Sequence, residues 1–228
     1  MIQRKSFTYS NYSFWTYSGF FFDIRFYFTK SFNYYVHMFV LKNKYFFIIE
    51  SIKDIDLKNI KKSKKFNIIY RSSKIAKKFE QLLRFRNVCR TKNIGFYVSN
   101  NIKLAIILKA DGIYISAYNK DLTFTRFKHS KLQIIGSAHN IKELKLKKLQ
   151  GCTNIVFSRL FLTSYKNKNG FLGVVKFNLL SLLIKENLIP LGGIRLSNLN
   201  KLNMVRCNSI ALLSEIKKKP KILSKSLF

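Results

Sequence analysis

The sequence predicts an α/β fold, a (β/α)8 barrel preceded by an aromatic-rich extension, and three observations support that fold class. Eight short apolar runs, rich in β-branched and aromatic residues, recur from residue 44 onward. These runs are continuously apolar, which is typical of parallel strands covered on both faces. Lys-rich stretches with a helical spacing of apolar residues separate most of the runs. Eight strands that alternate with helices favour a closed barrel over an open sheet.

The predicted strands are, in chain order, Tyr45–Ile49, Asn67–Tyr70, Gly95–Val98, Gly112–Ile115, Leu132–Ile135, Asn154–Phe157, Leu188–Leu191 and Ser209–Leu213. Helices are predicted at Lys74–Arg90, Phe177–Lys185 and Asn198–Val205, where apolar residues recur every three or four positions. The stretch Lys120–Lys131, where a further helix is expected, is short, and its sequence does not decide whether it is helical. A barrel over residues 44–228 has roughly 185 residues, which is near the lower limit for this fold.

Residues 1–43 are predicted to form an extension outside the barrel. Residues 1–50 contain 19 of the 35 aromatic residues, so the composition changes sharply where the first strand begins. Ser6–Phe22 lacks charge but is crowded with hydroxyl and amide side chains, and is too polar for a transmembrane helix. No compact apolar stretch before a small-residue cleavage site indicates a secretory signal. We interpret the extension as poorly ordered or as an extra packed helix, with an interfacial segment on a membrane as the alternative.

The chain carries 43 Lys+Arg against 10 Asp+Glu, a formal charge of +33. A field of this size attracts polyanions, whether nucleic acid, anionic lipid or phosphorylated metabolites. The basic residues are dispersed in short clusters, and Lys, Asn, Ile, Phe and Tyr share A/T-rich codons, so base composition explains much of the excess. The charge alone therefore does not choose among these partners.

Three cysteines, Cys89, Cys152 and Cys207, lie far apart in the sequence and form no CxxC pair. This spacing argues against a disulfide framework or a zinc knuckle. It favours the reducing cytosol, so we expect a cytoplasmic protein.

In a (β/α)8 barrel the functional site lies at the carboxyl ends of the strands. Small, polar or cationic residues follow the predicted strands: Arg71, Ser99-Asn100, Ser116 to Asn119, Ser137 to His139, Ser158 to Lys166, Gly192-Gly193 and Ser214. Their clustering at this end predicts a binding site there.

The glycine pair Gly192-Gly193 is a predicted phosphate site. It ends strand seven before a helix that Ser197 or Asn198 is predicted to cap, and glycines let a backbone approach an anion closely. The loops after strands seven and eight are the usual phosphate site of this fold, so Ser214 could donate to the same group.

Pyrophosphate ligands are predicted after strands six and two. The loop after strand six offers hydroxyls with Arg159 and Lys166, and it could close over a pyrophosphate. Arg71, with Lys74 nearby, is a further candidate ligand. His139, directly after strand five, could serve as an acid, a base or an orienting donor, and a structural hydrogen-bonded role is equally open.

The ordered motifs resemble those of the thiamine phosphate synthase and thiazole tautomerase superfamily. The matching segments and the family motifs are Ala110–Ile115 (ADGVHL), Ile135–Asn140 (GxSxHT), Phe157–Lys166 (FGPxFxTxTK), and Leu191–Ile194 with Ser209–Ile216 (IGGI…GVAVxSAI). The order and spacing agree over residues 44–216, and residues 1–43 lie outside the resemblance.

The resemblance implies a (β/α)8 enzyme that joins hydroxymethylpyrimidine pyrophosphate to thiazole phosphate and releases pyrophosphate with help from Mg²⁺. By the same resemblance Arg71 contacts the pyrophosphate, and Thr163 and Lys166 act on the pyrophosphate and the leaving group. Gly193 and Ser214 match the thiazole-phosphate site. The implied partners are small phosphorylated heterocycles, with no specific nucleic acid.

Ser137 and His139 match the serine and the histidine of the GxSxHT segment, and other positions depart from the family. The two Mg²⁺ aspartates of the family fall at Asn100 and Asn119, and the loss of both carboxylates weakens a site for a hard cation. Asp121 lies two positions away from the second aspartate. Arg159 replaces the proline of the strand-six motif and could partly replace the metal charge.

Three hypotheses follow. The first is a divergent thiamine phosphate synthase. The second is a thiazole tautomerase, with His139 as the acid–base residue, or a catalytically degenerate member of the superfamily. The third, from a different class, is a basic RNA-binding or membrane-surface protein, which the lack of an RNP-type aromatic motif and of one concentrated basic face argues against.

Overall fold

The computed structural model of the chain describes residues 44–60, 64–72, 79–163 and 170–213. The predicted extension over residues 1–43 lies outside these ranges. None of the helices within the described ranges is long and apolar enough to cross a bilayer.

Eight parallel strands form a nearly closed barrel, which confirms the predicted fold class. In chain order they are β1 (Lys44–Ile49), β2 (Phe66–Tyr70), β3 (Gly95–Ser99), β4 (Gly112–Ile115), β5 (Gln133–Ala138), β6 (Asn154–Ser158), β7 (Asn187–Leu191) and β8 (Ser209–Leu212). Consecutive strands from β1 to β7 are hydrogen-bonded, β8 pairs with β1, and β7 lies beside β8. Because all the pairs are parallel, the carboxyl ends of the strands meet at one rim.

Helices and short 3₁₀ segments connect the strands. The α-helices in the described part of the chain are α1 (Phe79–Thr91), α2 (Ile102–Ile107), α3 (Ile141–Leu149) and α4 (Gly173–Leu183). The 3₁₀ segments there are Ile52–Asp54, Leu57–Asn59, Leu122–Phe127 and Leu196–Met204.

The strands are buried on both faces, because alternate residues point into the barrel and toward the helices. Every strand contributes to an apolar layer inside the barrel: Phe46, Ile69, Tyr97, Tyr114, Ile135, Val156, Ile189 and Ala211. A second and larger cluster, which includes Ile68, Leu82 and Phe177, lies between the strands and the helices. This double burial explains why the strands are continuously apolar in the sequence.

Strand β5 is longer than predicted. The predicted end at Ile135 is wrong, since the strand continues to Ala138 and contains Gly136 and Ser137. Gly136 looks like a loop residue in the sequence, but it makes room for α3. A Cβ added at Gly136 would lie 2.9 Å from both the Cys152 Sγ and the Lys147 Cγ.

The helix predicted at Asn198–Val205 is wrong in type. The chain forms the 3₁₀ segment Leu196–Met204, and Asn198 inside it has a non-helical φ of −126°. The Asn198 side chain accepts a hydrogen bond from the Arg195 N–H (2.8 Å) and donates one to the Gly193 carbonyl (2.8 Å). Such local side-chain bonds compete with a regular helix. Ser197 and Asn198 therefore do not cap an α-helix.

The other two predicted helices are present, but their observed bounds differ from the predicted ones. The helix predicted at Lys74–Arg90 is present as α1 from Phe79, and residues 73–78 are not described. The helix predicted at Phe177–Lys185 begins four residues earlier, at Gly173. Helices α2 and α3 were not assigned from the sequence, although both begin at an asparagine cap. The Asn101 side chain accepts from the Leu104 N–H and the Asn140 side chain accepts from the Glu143 N–H, each at 2.9 Å.

Candidate active site

A cavity of about 1470 Å³ opens at the carboxyl ends of the strands. Its walls combine residues that follow β2, β5, β6 and β7 with residues of α3 and α4. The predicted site residues on its lining are Arg71, His139, Arg159, Thr163, Gly192 and Gly193. The barrel thus brings together side chains and turns that are distant in the sequence.

The remaining predicted residues occupy other positions. Ser137 is buried within β5, and its side chain is hydrogen-bonded to Tyr114. Asn100 and Asn119 contact each other beside the ends of β3 and β4, and neither is among the described lining residues. Lys74, Lys166 and Ser214 lie outside the described residues.

Arg71, at the end of β2, is oriented by Glu50 at the end of β1. The Arg71 Nη2 donates to the Glu50 Oε1 at 2.7 Å, and the Arg71 N–H donates to the Ile49 carbonyl at 2.8 Å. Asp54 orders the turn after β1, because its carboxylate accepts from the N–H groups of Glu50 and Ser51 at 2.8 and 3.0 Å. The Arg71 and Glu50 side chains are 36% and 47% exposed. An ion pair this exposed is weak, so an anionic ligand can compete for the guanidinium.

Glu50 is a candidate site residue, through its ion pair with Arg71, that the sequence predictions missed. The available signal was its position, since it is an acidic residue directly after a buried strand in a chain with 10 Asp+Glu.

His139 follows β5 and is held by the first turn of α3. The Glu143 Oε2 accepts from the His139 N–H at 2.7 Å and lies 3.0 Å from the His139 Nδ1. The Glu143 Oε1 accepts from the Asn140 side chain at 2.9 Å, and Asn140 caps α3 in return. A carboxylate at Nδ1 favours the tautomer that keeps Nε2 unprotonated. Asn140, directly before α3, is the sequence signal of this helix cap.

The glycine pair after β7 forms a seat for the loop after β6. Gly192 and Gly193 have φ values of +100° and +69°, which favour glycine. The Phe161 N–H donates to the Gly192 carbonyl at 3.0 Å, and the Leu160 N–H donates to the Leu191 carbonyl at 2.9 Å. A Cβ added at Gly193 would lie 2.5 Å from the carbonyl oxygens of both Phe161 and Leu162. These glycines therefore allow the loop that carries Arg159 and Thr163 to lie directly on the turn.

The described lining is electropositive. It contains the cations Arg71, Lys142, Arg159 and Lys176, and no carboxylate is among the described lining residues. The Thr163 Oγ1 is buried and finds no hydrogen-bond partner within the described part of the chain. A buried hydroxyl of this kind is suited to a ligand that accepts a hydrogen bond. The arrangement is suited to an anionic ligand.

Asn100 and Asn119, the positions at which the resemblance implies Mg²⁺, are hydrogen-bonded to each other and to Ser116. The Asn100 Oδ1 accepts from the Ser116 N–H at 3.0 Å and from the Asn119 Nδ2 at 3.2 Å. The Asn100 Nδ2 donates to the Ser116 Oγ at 2.8 Å. We call these three residues the amide clasp. Mg²⁺ prefers carboxylate oxygens and an octahedral geometry, and the clasp offers neither.

Asp121 does not supply the missing carboxylate. It is exposed, it caps the 3₁₀ segment Leu122–Phe127, and its two oxygens accept from the Thr123 N–H (2.8 Å) and the Thr123 Oγ1 (2.7 Å). These hydrogen bonds lower the pKa of Asp121. Within the described ranges, no three His, Cys, Asp or Glu side chains are grouped so that they could hold a metal ion. The residues present therefore do not fit the implied metal.

A protein-family model matches most of the barrel. The family model described as thiamine monophosphate synthase matches residues 57–216. The sequence is 28% identical over 138 residues to the thiamine-phosphate synthase of Prochlorococcus marinus strain AS9601, a match that covers 60% of this chain and 39% of the relative. It is 26% identical over 149 residues to the thiamine-phosphate synthase of Clostridium acetobutylicum, covering 65% of this chain and 71% of that relative. The chain thus spans well under half the length of the Prochlorococcus relative.

A solved structure supports the fold. The chain superposes on a thiamine phosphate pyrophosphorylase from Pyrococcus furiosus with a TM-score of 0.61 and 16% sequence identity. The superposition covers 83% of this chain and 97% of that structure. At this identity the likeness concerns the barrel alone.

We predict that Gly193→Ala destabilises the protein more than Gly170→Ala does. Both glycines have a positive φ, but no atom of the described residues lies within 4 Å of a Cβ at Gly170, whereas a Cβ at Gly193 overlaps two carbonyl oxygens. Backbone strain alone costs about 1–3 kcal/mol. Urea unfolding should therefore show a larger loss of unfolding free energy for Gly193→Ala. Equal losses in the two variants would contradict the seat described for the β6 loop.

We predict that Glu143 stabilises the fold at neutral pH and loses this effect in acid. Burial alone would raise the pKa of Glu143, but hydrogen bonds from the His139 N–H, the His139 ring and Asn140 together lower it from 4.5. A carboxyl with a lowered pKa stabilises the folded state above its ordinary pKa, and this stabilisation is lost as the pH falls through the lowered value.

The matched comparison is the wild-type chain with Glu143→Gln. At pH 7 the variant should have an unfolding free energy about 1 kcal/mol smaller, as for the loss of one hydrogen bond to His139. The difference should shrink as the pH falls from 4.5 through the lowered pKa of the folded state, because the wild-type carboxyl becomes neutral over this range. A difference that stays constant through this range would show that the carboxylate charge is not involved.

Proposed function

Since the chain belongs to the thiamine monophosphate synthase family, we propose that it joins hydroxymethylpyrimidine pyrophosphate to thiazole phosphate in thiamine biosynthesis. The observation that carries this proposal is the cavity at the carboxyl rim. Its described lining combines four cations with an unpartnered threonine hydroxyl and no carboxylate. Two phosphorylated substrates require such an environment, and the matched motifs provide residues for both.

In the proposed reaction a ring nitrogen of the thiazole forms a bond to the exocyclic carbon of the pyrimidine. The carbon–oxygen bond to pyrophosphate breaks, and both electrons of that bond leave with the pyrophosphate. Catalysis therefore consists of orienting the two rings and stabilising the charge that develops on the leaving group. No proton has to be removed from either ring in this step.

The cations at the ends of β2 and β6 are suited to the leaving group. Arg71 and Arg159 can each donate several hydrogen bonds to phosphate oxygens, and Thr163 can donate one more. The family resemblance assigns Arg71 and Thr163 to the pyrophosphate, and it adds Lys166 from the same loop. Lys74, near Arg71 in the sequence, is a further candidate for this group.

The thiazole phosphate is assigned by the resemblance to the turn after β7 and to Ser214. Gly192 and Gly193 both line the cavity, which supports this assignment. Mg²⁺ is implied by the family, but Asn100 and Asn119 do not fit it, so no step of the proposed reaction is assigned to a metal ion.

The direct test supplies the purified full chain with both heterocyclic phosphates and measures thiamine phosphate by chromatography. We expect product, and we expect Arg71→Met to lower kcat/KM by about 100-fold, as for the loss of a key donor to developing charge. Arg84→Met, on the exposed surface of α1, is the matched control and should retain the wild-type rate. Absence of product from the wild-type chain would refute the proposed function.

A second candidate function is thiazole tautomerisation, and the contact between His139 and Glu143 favours it. A histidine oriented by a carboxylate on the cavity wall is suited to moving a proton. If the chain isomerises a thiazole phosphate, His139→Ala should slow the reaction by about 100-fold or more. His129→Ala, at an exposed position outside the cavity lining, is the control. An unchanged rate in His139→Ala would remove this candidate.

A further inference from the structure

We infer that the chain binds the pyrophosphate group of its substrate through side-chain cations without a divalent ion, and that Lys176 of α4 is one of these cations. The inference rests on the proposed function, since that function supplies the pyrophosphate. It assigns a binding role to a residue that none of the matched motifs contains.

The first observation is that the family's metal positions are closed by the amide clasp. Both lone-pair directions of the Asn100 Oδ1 are used, one by the Ser116 N–H and one by the Asn119 Nδ2. The Asn119 Oδ1 accepts from the Asp121 N–H at 2.8 Å. A metal ion would have to break these hydrogen bonds and would meet neutral oxygens in return. The clasp therefore favours a state without metal.

The second observation is that two buried side chains at the carboxyl end of α3 hold the loop after β4 in place. The fully buried Lys147 and Gln150 both donate to the Asn119 carbonyl, from Nζ at 2.7 Å and from Nε2 at 3.1 Å. Gln150 Nε2 also donates to the Asp121 carbonyl at 2.8 Å. Because the backbone on both sides of Lys120 is tied to the helix behind it, Asp121 cannot move into the clasp without exposing buried polar groups.

The third observation is the position of Lys176 on α4. It is the only charged residue of this otherwise mostly apolar helix, and it lines the cavity together with Leu179, Leu180 and Leu183. Residues three and four positions apart lie on one face of a helix, so Lys176 shares its face with Leu179 and Leu180. The leucine side chains beside Lys176 carry no hydrogen-bond acceptor that would compete with an anion for its ammonium group.

The cations replace the charge that a divalent ion would bring. Arg71 and Arg159 line the cavity from the ends of β2 and β6, and Lys176 lines it from α4. Three positive charges on separate elements can surround a group with several anionic oxygens. No carboxylate among the described lining residues competes for it.

The test measures binding of inorganic pyrophosphate to the full chain by calorimetry, in EDTA and in Mg²⁺, at a physiological salt concentration that screens the general positive field. We expect binding in EDTA. Lys176→Met should weaken it about tenfold, the loss expected for one charge-assisted hydrogen bond. Lys145→Met, an exposed lysine of α3 outside the cavity lining, is the matched control and should bind like the wild-type chain.

The outcomes separate this inference from the proposed function. Binding only in Mg²⁺ would overturn the inference and leave the proposed function intact. No binding under either condition would overturn both. Equal binding by Lys176→Met and the wild-type chain would remove Lys176 from the site.

A second variant tests the clasp itself. Asn100→Asp combined with Asn119→Asp restores both carboxylates, so Mg²⁺ should strengthen pyrophosphate binding to this variant and not to the wild-type chain. If Mg²⁺ does not change the affinity of the double variant for pyrophosphate, the role proposed for Asn100 and Asn119 is contradicted.

Discussion

The hydrogen bonds between parallel strands are the constraint on which the rest of the molecule depends. All the hydrogen-bonded pairs among β1 to β8 are parallel and the barrel nearly closes, so the chain has to return along the outside after every strand. This closure places every strand end on one rim. Glu50 and Arg71 meet there from neighbouring strands, and His139, Arg159 and the Gly192-Gly193 turn reach the same cavity from β5, β6 and β7.

The barrel could be predicted from the sequence because both faces of each strand are buried. This double burial produces short, continuously apolar runs, which an amphipathic helix does not show. The secondary-structure predictions were wrong where the local sequence pattern favours one structure and contacts with other residues impose another. Gly136 looks like the beginning of a loop, yet it lies inside β5, because Cys152 and Lys147 pack against it. Asn198 sits in a stretch with helical spacing, yet its side chain bonds to Arg195 and Gly193 and prevents a regular helix.

The candidate site was predictable where function follows from position in the fold, as for Arg71, His139, Arg159 and Gly193. It was not predictable where a role depends on a distant partner. Glu50 matters through its contact with Arg71, and Lys176 through the orientation of α4, and neither contact leaves a spacing pattern in the sequence. The replacement of two aspartates by Asn100 and Asn119 was visible from the motifs, but only the coordinates show that these amides satisfy one another.

The backbone hydrogen bonds between the β6 loop and the β7 turn join the two halves of the cavity. The N–H groups of Leu160 and Phe161 donate to the carbonyls of Leu191 and Gly192, so the loop after β6 and the turn after β7 are tied by backbone hydrogen bonds. Under the proposed function the pyrophosphate would contact the loop and the thiazole phosphate would contact the turn. Any effect of one ligand on the affinity for the other would then have to be reciprocal.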